Sequence, residues 1–123
     1  MSEQAIQSVV FDLGAMAGTV NKGVWRVPKS DSAFGGVTLL NAYIISGGAA
    51  TSVLQLNNMG TALGTAISSN IGTLNATLVA NVKQAFSITT AYQDSGTWIG
   101  VSTGAGGSLD AATSVILEFK WGK

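Results

Sequence analysis

The chain contains neither cysteine nor histidine among its 123 residues. Without cysteine there is no disulfide framework, thiolate nucleophile or Cys-based zinc site, and the redox compartment is left undefined. Without histidine the usual general base, the usual transition-metal ligand and the side chain that ordinarily titrates near neutrality are all missing, so a Ser-His-Asp relay cannot be built. Charge is scarce as well. Six Lys and Arg balance six Asp and Glu, and only 10% of residues are charged, against an ordinary share of about 25%. There is thus no basic field to hold a phosphate backbone, and nucleic acid is not an expected partner.

Long apolar runs are also absent. The longest, from Val37 to Ala50, is interrupted by Thr38, Asn41, Ser46, Gly47 and Gly48, too short and too broken to span a bilayer. The start, Met1 to Ile6, has no positive region followed by an apolar stretch, and Ser2 stands where myristoylation requires glycine, so no membrane partner and synthesis in the cytoplasm are expected. Yet 46% of residues are hydrophobic and the mean hydropathy is +0.38. A weakly charged, apolar chain of this kind implies a surface covered in an assembly.

What is present is glycine, sixteen of them against one proline, scattered with Ser, Thr, Asn and Ala between short β-branched and aromatic runs. That is the texture of an antiparallel all-β chain. Ile6 to Leu13 alternates, with its stronger apolar face on Val9, Phe11 and Leu13. Gly23 to Pro28 reads as a strand stopped by its proline, and Lys29 to Gly36 as a polar loop. Val37 to Ser46 alternates Val37, Leu39, Asn41, Tyr43 and Ile45 against Thr38, Leu40, Ala42, Ile44 and Ser46, with large apolar groups on both sides. Thr51 to Asn58 sets Leu54, Leu56 and Asn58 against Val53, Gln55 and Asn57.

In Thr61 to Ala80, Leu63, Ile67, Ile71, Leu74 and Leu78 recur at helical spacings that Gly64 and Gly72 resist. It is read as a weak strand, a loop and a short segment before the next strand. Val82 to Thr90 alternates, Asp94-Ser95-Gly96 turns into Thr97 to Ser102, and Gly104 to Ser108 reads as a flexible loop. The last strand places Val115, Leu117, Phe119 and Trp121 opposite Ile116, Glu118 and Lys120. About eight short strands in one domain, residues 1–123, fit an antiparallel β-sandwich or jelly roll.

Little of the inventory points to chemistry, and no enzyme activity, cofactor or metal is expected. Asp31, Asp94 and Asp110 read as turn residues that bond nearby backbone amides, and Glu118 with Lys120 as a solvated pair blunting an edge. Gly104 to Ser108 and Gly14 to Gly18 look like phosphate-cradling loops only superficially, because no Lys and helix follow. Trp25, Trp98 and Trp121, with Arg26 and Tyr43, are candidate core or interface anchors. The alternative is a carbohydrate-binding, lectin-like module that stacks sugars on exposed Trp25 or Tyr92.

The order Val24-Trp25-Arg26-Val27-Pro28, then Gly36 to Ile45 leading to Val53-Leu54-Gln55-Leu56-Asn57-Asn58, resembles small jelly-roll capsid decoration (cement) proteins of bacteriophages. Gly60 and the run to Ile67, Ala85-Phe86-Ser87-Ile88, Trp98-Ile99-Gly100-Val101 and Val115 to Phe119 continue the resemblance. It implies a virion protein on the outer capsid surface, a homotrimer that binds the major capsid protein at threefold or quasi-threefold points and stabilises the shell. On that reading the N-terminal segment Met1 to Gln7, in particular Ser2, Glu3, Gln4 and Ala5, or the glycine-rich loops would touch the capsid.

Overall fold

A computed structural model describes residues 6–14, 16–17, 21–28, 35–48, 50–61, 69–103, 108–109 and 112–122. The strands are β1 (Gln7–Asp12), β2 (Met16–Ala17), β3 (Asn21–Arg26), β4 (Gly36–Ser46), β5 (Ala50–Asn58), β6 (Ser69–Leu78), β7 (Gln84–Ala85), β8 (Ser87–Ile88), β9 (Tyr92–Asp94), β10 (Trp98–Thr103), β11 (Ser108–Leu109) and β12 (Thr113–Trp121). Among the described residues there is no helix. The first sheet runs β1-β12-β4 and ends on β7 and β9, which both pair with β4; the second runs β3-β10-β5-β6-β8. All of these pairings are antiparallel. A small ribbon of β11 and β2, not anticipated from the sequence, lies against β5.

Alternation explains why the sheets stack. Val115, Leu117 and Phe119 of β12, with Val37, Leu39, Ala42 and Ile44 of β4, face Leu54 and Leu56 of β5, Ile71, Leu74 and Leu78 of β6, and Ile99 and Val101 of β10 across one core. Val9 and Phe11 pack against it from β1, and Leu13 is fully buried, as the odd-numbered apolar face anticipates.

Among the described residues three bulges break the alternation, each placing an extra residue on one strand. Glu118 opposes Asn41 but Phe119 opposes Leu39, so Leu40 is the extra residue of β4. This corrects the face expected for β4: the buried set switches from Val37 and Leu39 to Ala42, Ile44 and Ser46, while Asn41, Tyr43 and Ile45 turn outward. In β6, Leu56 opposes Gly72 and Asn57 opposes Asn70, which leaves Ile71 as the extra residue. Its buried positions therefore fall at Ile71, Leu74 and Leu78, three and four residues apart, the spacing that suggested a helix. The expected weak strand and loop here is corrected to a ten-residue strand, with residues 62–68 outside the described residues. Val24 is the extra residue of β3.

The segment expected as one strand from Val82 to Thr90 crosses between sheets. β7 pairs with β4, β8 pairs with β6, and β9 returns to β4. Phe86, at the crossing, is buried, and its amide donates to the Ala42 carbonyl (2.9 Å). Thr89 and Thr90 amides then donate to the Ile71 carbonyl (2.8 and 3.1 Å). At one end of the core, Asn58 Nδ2 donates to Gln93 Oε1 (2.7 Å) and Thr97 Oγ1 (3.0 Å), its Oδ1 accepts from the Gly60 amide, and Gln93 Nε2 donates to the Thr90 carbonyl. No buried side-chain N or O among the described residues lacks a partner, as buried polar groups require.

Candidate functional site

Away from the shared core the two sheets differ in chemistry, and on the second sheet Asn57 and Ser102 on that side are themselves buried. On the second sheet, Gln55 lies between Ser102 and Thr73, and Asn57 between Gly100 and Asn70. Asn57 Nδ2 donates to Ser102 Oγ (2.9 Å), and Asn70 Nδ2 donates to Asn57 Oδ1 (3.3 Å). This polar face already satisfies itself.

The first sheet presents the reverse. Val10 opposes Ile116, Ile116 opposes Tyr43, and Tyr43 opposes Ala85, so one apolar row crosses β1, β12, β4 and β7. Val10 is 60% exposed, and Leu40, thrust outward by its bulge, is 37% exposed. A polar row flanks it on one side: Ser8 opposes Glu118, which opposes Asn41, and Asn41 Nδ2 donates to Glu118 Oε1 (2.9 Å). On the other side Ser114 Oγ donates to Asp12 Oδ1 (3.0 Å). Lys83 Nζ sits 4.3 Å from the centre of the Tyr43 ring. Beside it, the Val79 to Val82 turn, with Asn81 at φ 62°, holds two exposed valines at its ends. Asp12, Glu118, Lys83 and Lys120 rim this row, so a partner that covers it must either leave those charges at a wet margin or pair them.

The expected anchors divide among three places. Trp25 of β3 packs 5.1 Å from Phe119, and Trp121 meets Phe119 edge-on at 5.8 Å, an aromatic cluster between the sheets. Trp98 and Arg26 are opposite one another on the second sheet, with Arg26 Nε donating to the Gly96 carbonyl (3.3 Å). Only Tyr43 belongs to the apolar row. Ser2, Glu3, Gln4 and Ala5 lie outside the described residues, as do Asp31, Asp110 and residues 104–107.

Two readings need correction. Glu118 and Lys120 do not blunt an edge, because β12 is flanked by β1 and β4. Asp94 makes its turn through its main-chain carbonyl, which accepts from the Thr97 amide (3.3 Å) and hydroxyl (2.7 Å). The run Gly100-Val101-Ser102-Thr103-Gly104 has the spacing of a nucleophile elbow. Ser102, however, lies within β10, is buried and accepts a hydrogen bond from Asn57, whereas the serine of an elbow is exposed on a sharp turn.

Among the described residues there is no cluster of three metal-ligating side chains, and no helix long and apolar enough to cross a membrane. These elements define an all-β protein of two antiparallel sheets stacked as a sandwich. No family model, curated protein or solved structure matches the chain.

Proposed function

We propose that the chain is a structural protein of a virus particle without catalytic activity: a capsid decoration protein that binds the outside of a phage head as a trimer and stabilises it. The observation that carries this reading is the apolar row Val10, Ile116, Tyr43 and Ala85 on the outer face of one sheet, in a chain whose opposite face is polar. A contiguous apolar stripe of this kind marks a protein contact.

The strand order supports the finer fold. With β7 to β9 counted as one crossing strand and the β2/β11 ribbon set aside, the eight positions run 1-8-3-6 in one sheet and 2-7-4-5 in the other, where β8 of the crossing strand adds a two-residue end, the order of a jelly roll. The engagement of Trp25 and Trp121 with Phe119 weighs against sugar stacking at Trp25, which leaves the carbohydrate-binding reading with Tyr92 among the described residues.

The test has two readouts. Light scattering coupled to size exclusion should give three times the 12.5 kDa of one chain, or paired trimers, and the protein should co-sediment with empty phage heads purified without their decoration protein. A monomer or dimer in solution refutes the trimer. Failure to sediment with any head, together with saturable binding on a glycan array, would replace the reading with the carbohydrate-binding one.

A further inference from the structure

Among the described residues, the five strands that end the two sheets, β1, β7, β9, β3 and β8, are not alike. β8 and β7 have two residues each and β9 has three. β3 carries Lys22 and Arg26, a bulge at Val24 and Pro28 just beyond its end. Short strands, lysines, bulges and prolines are the devices that keep sheet edges from pairing. β1 has none of them. It is six residues long, pairs with β12 without a register break, and has neither proline nor lysine; its other edge pairs with no strand among the described residues.

We propose that β1 is the docking edge for β1 of a second copy of this chain, paired antiparallel about a two-fold axis through Val10. The strand is complementary to itself in that register. Ser8 faces Asp12 of the other copy, Val9 faces Phe11, and Val10 faces Val10. The outward positions match hydroxyl with carboxylate and valine with valine, and the inward ones match apolar with apolar. Asp12 accepts from Ser114 through Oδ1, and its other oxygen is the acceptor for Ser8 of the second copy.

The neighbouring register that keeps the same faces together, centred on Val9, sets Ser8 against Val10 and matches nothing. A centre on Ser8 pairs only three residues of the strand, since β1 begins at Gln7. Like charges are never opposed in the Val10 register, as stable cross-strand pairing requires. Pairing there also joins the apolar rows end to end: Ala85, Tyr43, Ile116 and Val10 continue into the same four residues of the second copy, all on one side of a combined sheet. If the capsid reading holds, this contact rests on it for its setting, because adjacent threefold positions on an icosahedral shell are related by local two-folds. The edge would then tie neighbouring trimers into a net.

The absence of cysteine makes the test clean. Single variants Val10→Cys, Ser8→Cys and Asp12→Cys are treated with a short bis-maleimide at fixed concentration. Val10→Cys should cross-link to itself on the order of tenfold faster than either other variant, because pairing raises the local thiol concentration. A mixture of Ser8→Cys and Asp12→Cys should cross-link as heterodimers. In parallel, Val10→Lys should abolish the rise in mass of the native protein with concentration, leaving separate trimers in place of linked ones or one chain in place of two, with an unchanged circular dichroism spectrum.

Equal cross-linking rates for all single variants, or a mass that Val10→Lys leaves unaltered, overturns the proposal. The capsid reading is scored separately. A fall from two chains to one upholds the edge and refutes the trimer; Val10 also belongs to the apolar row, so capsid binding is scored on the parent protein and on Tyr43→Asp, not on Val10→Lys.

Discussion

Replacing Gly72 by alanine strikes the point where the crossing segment closes the sandwich. Gly72 pairs with Leu56 on one side and Ile88 on the other. Its φ is not positive, so alanine meets no backbone strain there and would in isolation favour folding by about 0.4–1 kcal/mol through the unfolded chain. The opposing term is larger. A Cβ at Gly72 would lie 2.4 Å from the Ser87 carbonyl oxygen and 3.2 Å from Ile88 Cα, both main-chain atoms, so β8 must withdraw by roughly 1 Å from the separation that packed atoms tolerate.

That movement strains the bonds from the Thr89 and Thr90 amides to the Ile71 carbonyl, each worth about 1 kcal/mol. It also loosens Phe86 and Ile88, which pack on the core, at the 1–3 kcal/mol typical of overpacking. The net loss expected is about 2–4 kcal/mol. With a urea slope of about 2 kcal/mol/M for a domain of this size, the unfolding midpoint should fall by about 1–2 M at unchanged slope. A midpoint within about 0.3 M of the parent protein would refute the reasoning, since it would mean that β8 is not held against Gly72.

Other substitutions probe the core and the face independently. Asn58→Ala leaves Gln93 Oε1 without the donor it has in the core and should cost about 1–3 kcal/mol in equilibrium unfolding, whereas an exposed Asn41→Ala should change stability by less than about 0.5 kcal/mol. Trp25→Ala removes a half-buried ring stacked near Phe119 and should lower stability by about 2–4 kcal/mol, with a matching loss of tryptophan fluorescence change on unfolding; a neutral result would free Trp25 for a surface role. Tyr43→Asp, on the outward row, should cost about 1–2 kcal/mol of stability through its cross-strand pair with Ile116 and the poor strand propensity of Asp, leaving the protein folded, and reduce sedimentation with phage heads at least about tenfold. Undiminished sedimentation would detach the row from capsid binding.

The individual alternations were legible because a strand's period of two is a local property. Val115, Leu117 and Phe119 against Ile116 and Glu118, or Val9 and Phe11 against Ser8 and Val10, can be read from one segment without knowledge of any other. The composition likewise determined that the chain would be β-rich, glycine-turned and poor in chemistry-bearing side chains. What the residues alone did not determine was where the alternation slips. Leu40 and Ile71 look like any other apolar residue of their runs; each is an extra residue only relative to a partner strand, Glu118 and Phe119 of β12 for Leu40 and Leu56 and Asn57 of β5 for Ile71.

The same limit hid the candidate surface. Val10, Ile116, Tyr43 and Ala85 belong to four separate segments, and nothing within any of them says that they share one row. Tertiary structure decided that, because register is a non-local quantity, settled by which cross-strand set buries the most apolar area while leaving no polar group unpaired. Sequence by itself determined which faces each strand could offer. Only the packing of the two sheets decided which of those faces became core and which was left outside.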